Sequence, residues 1–552
     1  MLIDRVREVT TKARMFARVL YQTGILGDVS PKGAVAAVRT LARGAGGPSA
    51  IFRVHAAGHP DRVAFKFDGR SFTYAEIDSR IDRLATGLRR RGFRKGDAAV
   101  LMLKNRPECI EIGAAMSRIG GAGVAVSWRS TPAELAYVVS NSGARAIFFD
   151  VEMWPIVETA HAQCSKVAAD ALFSVGGTIA DKTTTDELMA QAADGELSEQ
   201  EGAVIIYTSG TTGRPKGAVR NFGSGQLEGF FAFIGETPMR VDDRHLAVCP
   251  LYHSTGLGFT GMSLALGATI VILREFEAEE FLRAIDREKI TTTAIVPTML
   301  HRLMALPDEV FRRYDLRSLR AVFCGGAQLP STLAARALDR LGPVLFNLYG
   351  ATETGLVTVA SPDDLRACPG TIGRAVPGAE IRLLGESGRE VRMGEVGELY
   401  TRNSMLVSGY HGDEAATASS LRDGFFSVGD LATVDSEGRF QIVGRQRDMV
   451  ISGGVNVYPA EVEAAIETHA SVAQVAVIGI ADEEWGERLR AFVVRRPGCD
   501  VDAPTLRAWC RDRLSGAKVP KEYVFLDALP ANPTGKILKR ELKSYEGAVE
   551  KA

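Results

Sequence analysis

The segment YTSGTTGRPKG, residues 207–217, places three glycines, several hydroxyl side chains and a lysine at the end of the apolar run AVIIY. A glycine-rich loop that leaves a buried strand presents its backbone N–H groups without obstruction, and such a concavity suits phosphate. Lys216 would add a compact cation against phosphate oxygens. The other positions that we expect at the phosphates are Thr208, Ser209, Gly210, Thr211 and Thr212. The segment therefore predicts a phosphate-binding loop.

The loop differs from a Walker A motif. Arg214 and Pro215 separate Gly213 from Lys216, and Gly217 follows where that motif has Ser or Thr. A P-loop nucleoside triphosphatase is therefore disfavoured. A simple glycine turn with a surface lysine is the other interpretation. The eleven-residue composition behind a buried strand favours phosphate binding over it.

The elements around this loop alternate between apolar β-branched runs and helical patterns. The strand-like runs lie at 98–103, 121–127, 144–149, 267–273, 292–297 and 320–326, and a helix is predicted near 107–119. Strand–helix alternation with short connections is typical of parallel α/β sheets. The length of the region predicts two such sheets.

Two further regions have other patterns. Residues 378–445 are rich in glycine, charge and short alternating runs, which predicts a smaller antiparallel part. After residue 448 the pattern restarts with a helix at 459–467, strands at 472–478 and 491–495, and a helix at 504–514. This predicts a separate α+β domain of about 100 residues.

Composition excludes several classes of protein. A chain of 552 residues with 46% hydrophobic and 24% charged residues is a multidomain globular protein. Its net charge of −1 gives no reason to expect a nucleic-acid partner. The seven cysteines form no CxxC pair and no zinc spacing, as expected for reduced cytoplasmic thiols. No apolar run reaches the about 18–20 residues that span a bilayer.

The N-terminal extension, residues 1–45, carries apolar residues at helical spacing with interleaved arginines and lysines. This pattern predicts an amphipathic basic helix over residues 1–22. Two interpretations stay open at this point: peripheral contact with a membrane surface, or a helix packed on the body of the protein.

Seven further segments, together with the loop at 207–217, resemble the signature motifs of the adenylate-forming superfamily, in the same order. This superfamily comprises acyl-CoA synthetases, peptide-synthetase adenylation domains and luciferases. The segments are FTYAEI (72–77), PLYHSTGLG (250–258), NLYGATETG (347–355), GELYTR (397–402), SVGD (427–430), GRQRDMVISGGVNVYPAEVE (444–463) and NPTGKILKREL (532–542). The resemblance covers roughly residues 50–545.

The resemblance implies an α/β fold with a large N-terminal domain, residues 46–446, and a small mobile α+β C-terminal domain, residues 447–552. The large domain would contain two stacked α/β subdomains and a small distorted β-barrel. The implied reaction has two steps. A carboxylate attacks the α-phosphate of ATP to give an acyl-adenylate and pyrophosphate, and a thiol, that of CoA, then displaces AMP.

The resemblance also implies roles for individual residues at the nucleotide. Tyr349 would stack on adenine, and the amide oxygen of Asn347 would accept the exocyclic amine. Asp430 and Arg445 would reach the ribose. The remaining positions of the ATP- and AMP-binding set are Gly326, Ala327 and Gly350, together with Lys216 and the loop positions named above.

The implied catalytic set consists of Lys536, Thr352 and His253. Lys536 would bridge the substrate carboxylate and the α-phosphate, Thr352 would donate to a phosphate oxygen, and His253 would lie near the acyl carboxylate. A hydrogen-bonded structural histidine is the alternative for His253. Glu353 would ligate Mg²⁺, a hard cation that prefers oxygen ligands.

Two further features follow from the resemblance. The small domain would rotate about a hinge at Arg447, where many relatives have Asp or Lys. After rotation Gly453 and Gly454 would line the CoA tunnel. The acyl pocket would be formed by Gly229, Phe230, Phe233 and Gly325.

The helix predicted at 226–235 has no charge beyond Glu228, which favours an apolar monocarboxylate over an amino acid. We therefore predict a cytoplasmic enzyme of fatty acid and lipid metabolism that activates a medium- to long-chain fatty acid, as a monomer or homodimer. Peripheral contact with the inner face of a membrane is one of the two open interpretations of the N-terminal helix. The alternatives are a CoA ligase for an aromatic or alicyclic acid, and an acyl-adenylating enzyme that loads a carrier protein. A catalytically silent relative is a further alternative.

Overall fold

The computed structural model describes most of the chain. The described residues are 16–42, 47–164, 167–190, 202–208, 216–221, 224–407, 409, 414–452, 455–482, 485–531 and 537–551.

The strands are numbered in chain order. They are β1 Val63–Phe67, β2 Arg70–Thr73, β3 Ala98–Met102, β4 Ala122–Ala125, β5 Ala146–Asp150, β6 Leu172–Val175, β7 Thr183–Thr184, β8 Ala203–Thr208, β9 Lys216–Asn221, β10 Arg244–Ala247, β11 Thr269–Ile272, β12 Thr292–Ile295, β13 Ala321–Cys324, β14 Leu345–Ala351, β15 Gly355–Ala360, β16 Thr371–Ala375, β17 Glu380–Leu384, β18 Gly397–Arg402, β19 Leu421–Arg422, β20 Phe425–Val434, β21 Phe440–Arg445, β22 Val450–Ser452, β23 Val455–Val457, β24 Val472–Asp482, β25 Gly486–Arg495, β26 Glu522–Phe525 and β27 Glu550–Lys551.

The helices are numbered in the same way, after a helical stretch over residues 16–23. They are α1 Ile25–Asp28, α2 Pro31–Ala42, α3 Pro48–Gly58, α4 Tyr74–Arg90, α5 Glu108–Arg118, α6 Pro132–Ser142, α7 Trp154–Gln163, α8 Thr185–Ala190, α9 Ser224–Ile234, α10 Ser254–Ala265, α11 Ala278–Glu288, α12 Pro297–Met304, α13 Asp308–Phe311, α14 Ser331–Leu341, α15 Pro362–Ala367, α16 Glu414–Ser419, α17 Pro459–Glu467, α18 Ala503–Arg511 and α19 Lys539–Lys543. Short 3₁₀ turns occur at Val151–Met153, Ala169–Ala171, Gln446–Asp448 and Gly516–Lys518.

Sheet I has the strand order β7–β6–β5–β3–β4–β8–β9 within the described residues. Its neighbours pair in parallel except at the edge, where β8 and β9 form an antiparallel pair. The sequences AAVLM in β3 and AIFFD in β5 are buried at every position. Buried runs of this kind, apolar except for the terminal Asp150, are expected where helices cover both faces of a parallel sheet.

Sheet II is mixed. Its parallel part joins β14, β13, β12, β10, β11 and β1 in that order. Beyond β14 the antiparallel strands β15, β16, β21, β20, β18 and β17 continue the same hydrogen-bonded order. The antiparallel part predicted for 378–445, expected as a small distorted barrel, is thus joined to sheet II through β16.

The two sheets are stacked with helices between them. One continuous buried cluster runs from Val100 and Phe148 of sheet I, through Phe52 of α3 and Ile77 of α4, to Ile270 of sheet II. A second cluster packs α11, α12 and α14 on the far face of sheet II. The predicted α/β fold with a large N-terminal part and a smaller C-terminal part is confirmed.

Local signals fix several helix ends. Thr73 and Glu76 form a capping box at the start of α4, and Thr131 and Glu134 form another at the start of α6. Each pair satisfies two backbone N–H groups that the first helical turn leaves without partners. Helix α6 ends at Gly143, whose φ of 64° is the left-handed conformation that glycine adopts without strain.

The small domain begins where the chain passes from β21 of sheet II to β22 of a third sheet. That sheet has the order β23–β22–β25–β26–β27, with β24 also paired to β25. Val462 and Ile466 of α17 and Leu506 of α18 pack on it. The predicted helix 459–467 is found with the same bounds. The domain boundaries predicted at residues 45/46 and 446/447 stay predictions.

The helical stretch at 16–23 packs on the body of the large domain. Val19 is fully buried in a cluster with Phe233 and Phe259. The rings of Phe16 and Phe231 lie 5.5 Å apart, edge to face. The described part of the N-terminal helix therefore fits the second interpretation of the sequence pattern. Membrane contact through residues 1–22 stays a prediction, and residues 1–15 lie outside the described residues.

All seven cysteines are free thiols. Cys499 is exposed, and the other six are buried or half-buried. Burial raises the pKa of Cys109 and of Cys249 to about 12, so these thiols are protonated at neutral pH. In the described part of the chain, no helix has the length and apolar character needed to cross a bilayer.

The buried His245 in β10 should make the stability of the fold depend on pH. Its side chain is 1% exposed and its Nδ1 lies 3.0 Å from the Thr292 hydroxyl. Burial lowers the pKa of His245 to about 3. An unfolded chain binds the imidazole proton near pH 6.5. Because the unfolded state holds more protons between pH 6.5 and 3, His245 lowers the stability as the pH falls through that window.

We expect His245→Gln to make the thermal midpoint less sensitive to pH between pH 6.5 and 4.5 than it is in the wild type. Thermal unfolding at a series of pH values measures this. His469→Gln, at a half-buried histidine of the small domain, controls for the loss of any imidazole. Parallel pH profiles for wild type and His245→Gln would contradict the assignment.

Candidate active site

One cavity of about 1600 Å³ lies where sheet I, sheet II and the small domain meet. Parallel strands of sheet II end at this cavity. Pro250–Ser254 follow β10, Gly325 follows β13, and Gly350 lies at the end of β14, and all of these residues line the cavity. The crevice outside the carboxyl ends of parallel strands is the usual ligand site of α/β sheets. The cavity is therefore the candidate site.

The predicted phosphate loop connects the antiparallel strands β8 and β9 at the edge of sheet I. Thr208 at the end of β8 pairs with Lys216 at the start of β9. Tyr207, next to this pair, lines the cavity, and its hydroxyl donates to Asn141 Oδ1 at 2.6 Å. The backbone thus brings both ends of the loop to the site. Ser209, Gly210, Thr211 and Thr212 lie outside the described residues.

The glycines after β13 line the cavity wall. A Cβ on Gly325 would lie 3.2 Å from the Leu348 carbonyl oxygen, and one on Gly326 would lie 3.6 Å from the Thr255 hydroxyl. Gly326 is exposed with a φ of 82°, and Ala327 beside it is half-buried. Without side chains at these two positions, the wall consists of backbone, and its predicted contact with a ligand stays a prediction.

Asn347 in β14 is buried, and its Nδ2 donates to the Thr371 carbonyl oxygen at 2.8 Å. That bond fixes the orientation of the amide. The amide oxygen, which we expect to accept a hydrogen bond from the adenine amine, belongs to the same amide group and is therefore held in place as well. Asn347 does not line the cavity directly, so its role toward a nucleotide stays a prediction.

Tyr349, Asp430 and Arg445 form one contact group. The Tyr349 hydroxyl donates to Asp430 Oδ2 at 2.9 Å, and Arg445 Nε lies 2.8 Å from Asp430 Oδ1. Asp430 and Arg445 face each other across the β20–β21 pair. Burial, with Asp430 beside it, raises the pKa of Tyr349 well above its usual value. A ribose that approaches Asp430 would meet a carboxylate that already accepts from Tyr349.

Thr352 and Glu353 follow β14 and line the cavity. The Thr352 and Ser254 hydroxyls lie 3.2 Å apart, which joins this loop to the start of α10. Within the described residues no group of three or more His, Cys, Asp or Glu side chains could hold a metal ion. Mg²⁺ commonly binds one or two carboxylates plus phosphates and waters. Glu353 is one of four glutamates that line the cavity, with Glu134, Glu398 and Glu541, and a carboxylate of this kind fits Mg²⁺ that is also held by phosphates and waters.

His253 precedes the first residue of α10 and lines the cavity. Its Nε2 atom is buried and has no hydrogen-bond partner among the described residues. Burial lowers the pKa of His253 to about 4, so the imidazole is neutral at pH 7. A buried polar atom without a partner carries a desolvation cost that a ligand group can remove. This favours a ligand contact over the structural role that the sequence left open.

The predicted acyl wall is only partly at the surface of the cavity. Phe230 of α9 lines it, whereas Phe233 is fully buried behind it. A Cβ on Gly229 would lie 2.2 Å from Met405 Cγ, so glycine there lets Met405 pack against α9. Met405 itself lines the cavity. Phe233 and Gly229 thus support the wall from behind and do not line the cavity.

The small domain closes one side of the cavity. Ala531, Leu538 and Arg540 line it together with Arg445 and Arg447 of the connecting segment. Arg447, the predicted hinge, lies in the 3₁₀ turn Gln446–Asp448 between β21 and β22. Burial, with Arg445 nearby, lowers the pKa of Arg447. The predicted Lys536, Gly453 and Gly454 lie outside the described residues.

Sequence reasoning missed part of the site. Gly261, Leu264 and Ala265 of α10 line the cavity beyond the end of the motif at 250–258, and Met405 lines it outside any recognised motif. Arg540 lies within the recognised segment 532–542, where only Lys536 was assigned a role. For α10 a signal was present, because Gly258, Gly261 and Ala265 recur at helical spacing on one face. For Met405 no local signal exists, since tertiary packing alone brings it to the cavity.

Comparison with known proteins places this geometry in a family. The model of the AMP-binding enzyme family matches residues 52–411, and that of the AMP-binding enzyme C-terminal domain matches residues 461–536. The chain belongs to the AMP-binding enzyme family. It is an AMP-forming acid–thiol ligase, which acts through an acyl-adenylate and uses ATP and CoA as substrates.

Several relatives of this AMP-binding enzyme are similar over most of their length. A feruloyl-CoA synthase from Amycolatopsis sp is 37% identical over 88% of this chain and 96% of its own. An indoleacetate–CoA ligase from Aromatoleum aromaticum is 33% identical over 89% and 96%. The o-succinylbenzoate CoA synthetase of Bacillus subtilis, solved with an acyl-adenylate intermediate, has 28% identity and a TM-score of 0.79 over 90% of this chain and 98% of its own.

Position 350 of the AMP-binding enzyme has no room for a side chain. A Cβ at this position would lie 2.0 Å from the Gly355 carbonyl oxygen, where the β14–β15 register shifts. We expect Gly350→Ala to lower the stability by ~1–3 kcal/mol and to lower AMP release, because backbone must move beside Thr352. Thermal unfolding and an AMP assay measure this.

The matched control is Gly113→Ala in α5, where a Cβ would meet nothing within 4 Å. Alanine in a helix interior stabilises by ~0.5–1 kcal/mol relative to glycine, so this variant should not lose stability. If Gly350→Ala behaves like Gly113→Ala, the close approach at β14–β15 is wrong.

Proposed function

We propose that the protein converts an aromatic monocarboxylic acid into its CoA thioester. In the balanced reaction, acid, ATP and CoA give acyl-CoA, AMP and pyrophosphate. The carboxylate oxygen bonds to the α-phosphorus as pyrophosphate leaves. The CoA sulfur then bonds to the carbonyl carbon as AMP leaves, and the thiol proton passes to solvent. The observation that carries the proposal is the aromatic wall of the cavity.

The aromatic wall is formed by Phe230, Phe231 and Phe259, which line the cavity. Phe259 stacks on Phe323 at 4.8 Å between ring centroids and meets Phe233 edge to face at 5.6 Å. Rings held in this way offer flat faces and edges that suit another aromatic ring, at ~0.5–1.5 kcal/mol per aromatic pair beyond the buried area. The wall therefore favours a ring over a flexible chain at this position.

The relatives support the same acid class. Feruloyl-CoA synthase and indoleacetate–CoA ligase are named for aromatic acids. They favour the aromatic alternative over the medium- to long-chain fatty acid that the sequence first indicated. No basic side chain lines the described aromatic wall, which disfavours an acid with a second carboxylate.

For the nucleotide, we propose that Asp430 and Arg445 hold the ribose and that Tyr349 stacks on adenine. The existing Tyr349–Asp430 bond would hold the ring and the carboxylate in fixed positions before ATP binds. Arg445, Arg447 and Arg540 line the cavity together with Glu353, Glu398 and Glu541, and a guanidinium group beside the reacting groups would lower the repulsion between a carboxylate and a triphosphate. Lys216 and the loop hydroxyls would add to this charge and hold the phosphates.

Bound Mg²⁺ would neutralise phosphate charge and orient the phosphates for displacement. We propose that Glu353 holds it, with Thr352 donating to a phosphate oxygen. Neutral His253 would contact the acid or its adenylate through Nε2, and the glycine wall at Gly325 would let the carbonyl group approach the backbone.

We propose that the small domain supplies Lys536 for adenylation and then rotates about Arg447. Support comes from the neighbours of the predicted catalytic segment, because Ala531 and Leu538 line the same cavity as Thr352. Rotation would exchange this segment for Gly453 and Gly454, so that one cavity serves two steps in turn.

AMP release with a panel of acids tests the acid class. We expect ATP- and CoA-dependent AMP formation with ferulate, indole-3-acetate or benzoate, and Asp430→Asn should lower it because the ribose loses a charged acceptor. Reactions without acid or without CoA are the controls. Failure of every aromatic acid to release AMP would contradict the assignment.

Separate half-reactions test the role of Lys536. We expect Lys536→Ala to abolish pyrophosphate exchange while thioester formation from supplied acyl-adenylate stays mostly intact, because the cation is needed only where two anions meet. Lys543→Ala, in the same basic segment, is the matched control. Equal loss of both half-reactions would show that the lysine is not specific to adenylation.

A further inference from the structure

The proposed ribose acceptor Asp430 lies in an irregular part of strand β20. One residue of β18 stands opposite three of β20, residues 428–430, because the register of this antiparallel pair shifts after Glu398. Such bulges interrupt the regular ladder, change the direction of the side chains and are common beside active sites. We call residues 427–430 the β20 bulge, and residues 427–429 of it line the cavity. The place of Asp430 in the site therefore depends on what holds this bulge in shape.

Two hydrogen bonds in series connect the β20 bulge to Glu398 of β18. The Ser427 hydroxyl donates to Glu398 Oε1 at 2.6 Å, and the Gly429 N–H donates to Ser427 Oγ at 3.0 Å. The other carboxylate oxygen, Oε2, accepts from the Tyr400 hydroxyl at 3.2 Å. An ionised carboxylate can only accept hydrogen bonds. Glu398 therefore fixes the direction of the Ser427 hydroxyl proton and leaves Oγ to accept from Gly429.

The backbone of the β20 bulge has an unusual conformation. Gly429 has a φ of 78°, in the left-handed region that residues other than glycine rarely adopt. A Cβ on Gly429 would meet nothing within 4 Å, so conformation and not crowding requires glycine here. Asp430 follows directly, and its two carboxylate oxygens contact Tyr349 and Arg445. A rotation of the backbone at Gly429 would therefore move Asp430 away from both partners.

The bond between Ser427 and Glu398 is suited to hold this conformation. Ser427 is only 6% exposed, so water has little access to its hydroxyl. A charged acceptor forms hydrogen bonds that are shorter and about twice as strong as those of a neutral one. Glu398 also lines the cavity, where a further negative charge opposes the binding of an anionic nucleotide. A role in holding the bulge gives a physical reason for a carboxylate at this place.

We propose that Glu398 is a positioning residue for the nucleotide. Through Ser427 it holds the β20 bulge in the conformation in which Asp430 meets the ribose of ATP, and it does so without touching the ligand. This inference rests on the proposed role of Asp430. It joins the segments at 397–402 and 427–430 into one functional unit.

Variants on both sides of the hydrogen bond test the proposal. We expect Glu398→Ala and Ser427→Ala each to raise KM for ATP at least about fivefold, with kcat and KM for the acid changed less than about twofold. Glu398→Gln should stay within about twofold of the wild type, because its amide oxygen can still accept from Ser427. The matched control is Glu380→Ala in β17, at an exposed carboxylate paired with Arg402 outside the cavity.

The double variant separates an indirect from a direct role. If Glu398 acts through Ser427, Glu398→Ala should add less than about twofold to the effect of Ser427→Ala on KM for ATP. Effects that multiply would show that Glu398 touches the ligand itself and would overturn the inference. Unchanged KM for ATP in the single variants, or equal changes in KM for ATP and for the acid, would overturn it too.

Binding of AMP, measured by titration calorimetry, shows occupancy without chemistry. The affinity for AMP should fall in Glu398→Ala, Ser427→Ala and Asp430→Asn, and the thermal midpoint of each variant shows whether it is folded. Ser427→Ala removes a single oxygen atom, so it carries the test even where Glu398→Ala lowers the stability.

The same measurement tells the inference from the proposed function. Weaker AMP binding in Asp430→Asn alone would overturn the inference and leave the ribose site in place. Unchanged AMP binding in Asp430→Asn would overturn both, because Asp430 would then not hold the ribose.

Discussion

The site depends on the parallel order of β10, β12, β13 and β14 in sheet II. Parallel strands end at one edge, so the segments after β10, β13 and β14 meet there although about 100 residues of chain separate the first from the last. The β8–β9 edge of sheet I reaches the same place because the two sheets are stacked over a shared layer of helices. A change in the strand order would separate His253, Gly325 and Thr352, whatever their local conformation.

Helix α10 has to meet two opposing demands. One face packs in the protein interior, where Thr260 and Ser263 are fully buried, while the other faces a cavity along the whole length of the helix. Small residues on the open face keep the cavity wide, and Phe259 and Met262 at its margin join the aromatic core. The same helix therefore contributes to stability and to the shape of the cavity, which links any change in one to the other.

The sequence was most informative where local patterns decide the structure. Buried apolar runs predicted the strands of sheet I, and the helix Pro459–Glu467 was found with the predicted bounds because Pro459 marks its start. Side-chain directions were less predictable. The orientation of Phe233 away from the cavity depends on packing against Phe259 and Phe323, and the Tyr349–Asp430 bond depends on residues far apart in the chain. No local pattern contains that information.

The distribution of the thiols has a practical consequence. Cys499 is exposed in the turn between β25 and α18, whereas the other six cysteines are buried or half-buried. A maleimide spin label or fluorophore would therefore attach preferentially to the small domain in the natural sequence. Paired with one engineered attachment point on the large domain, it would report interdomain distances during turnover and show directly whether the small domain rotates as proposed.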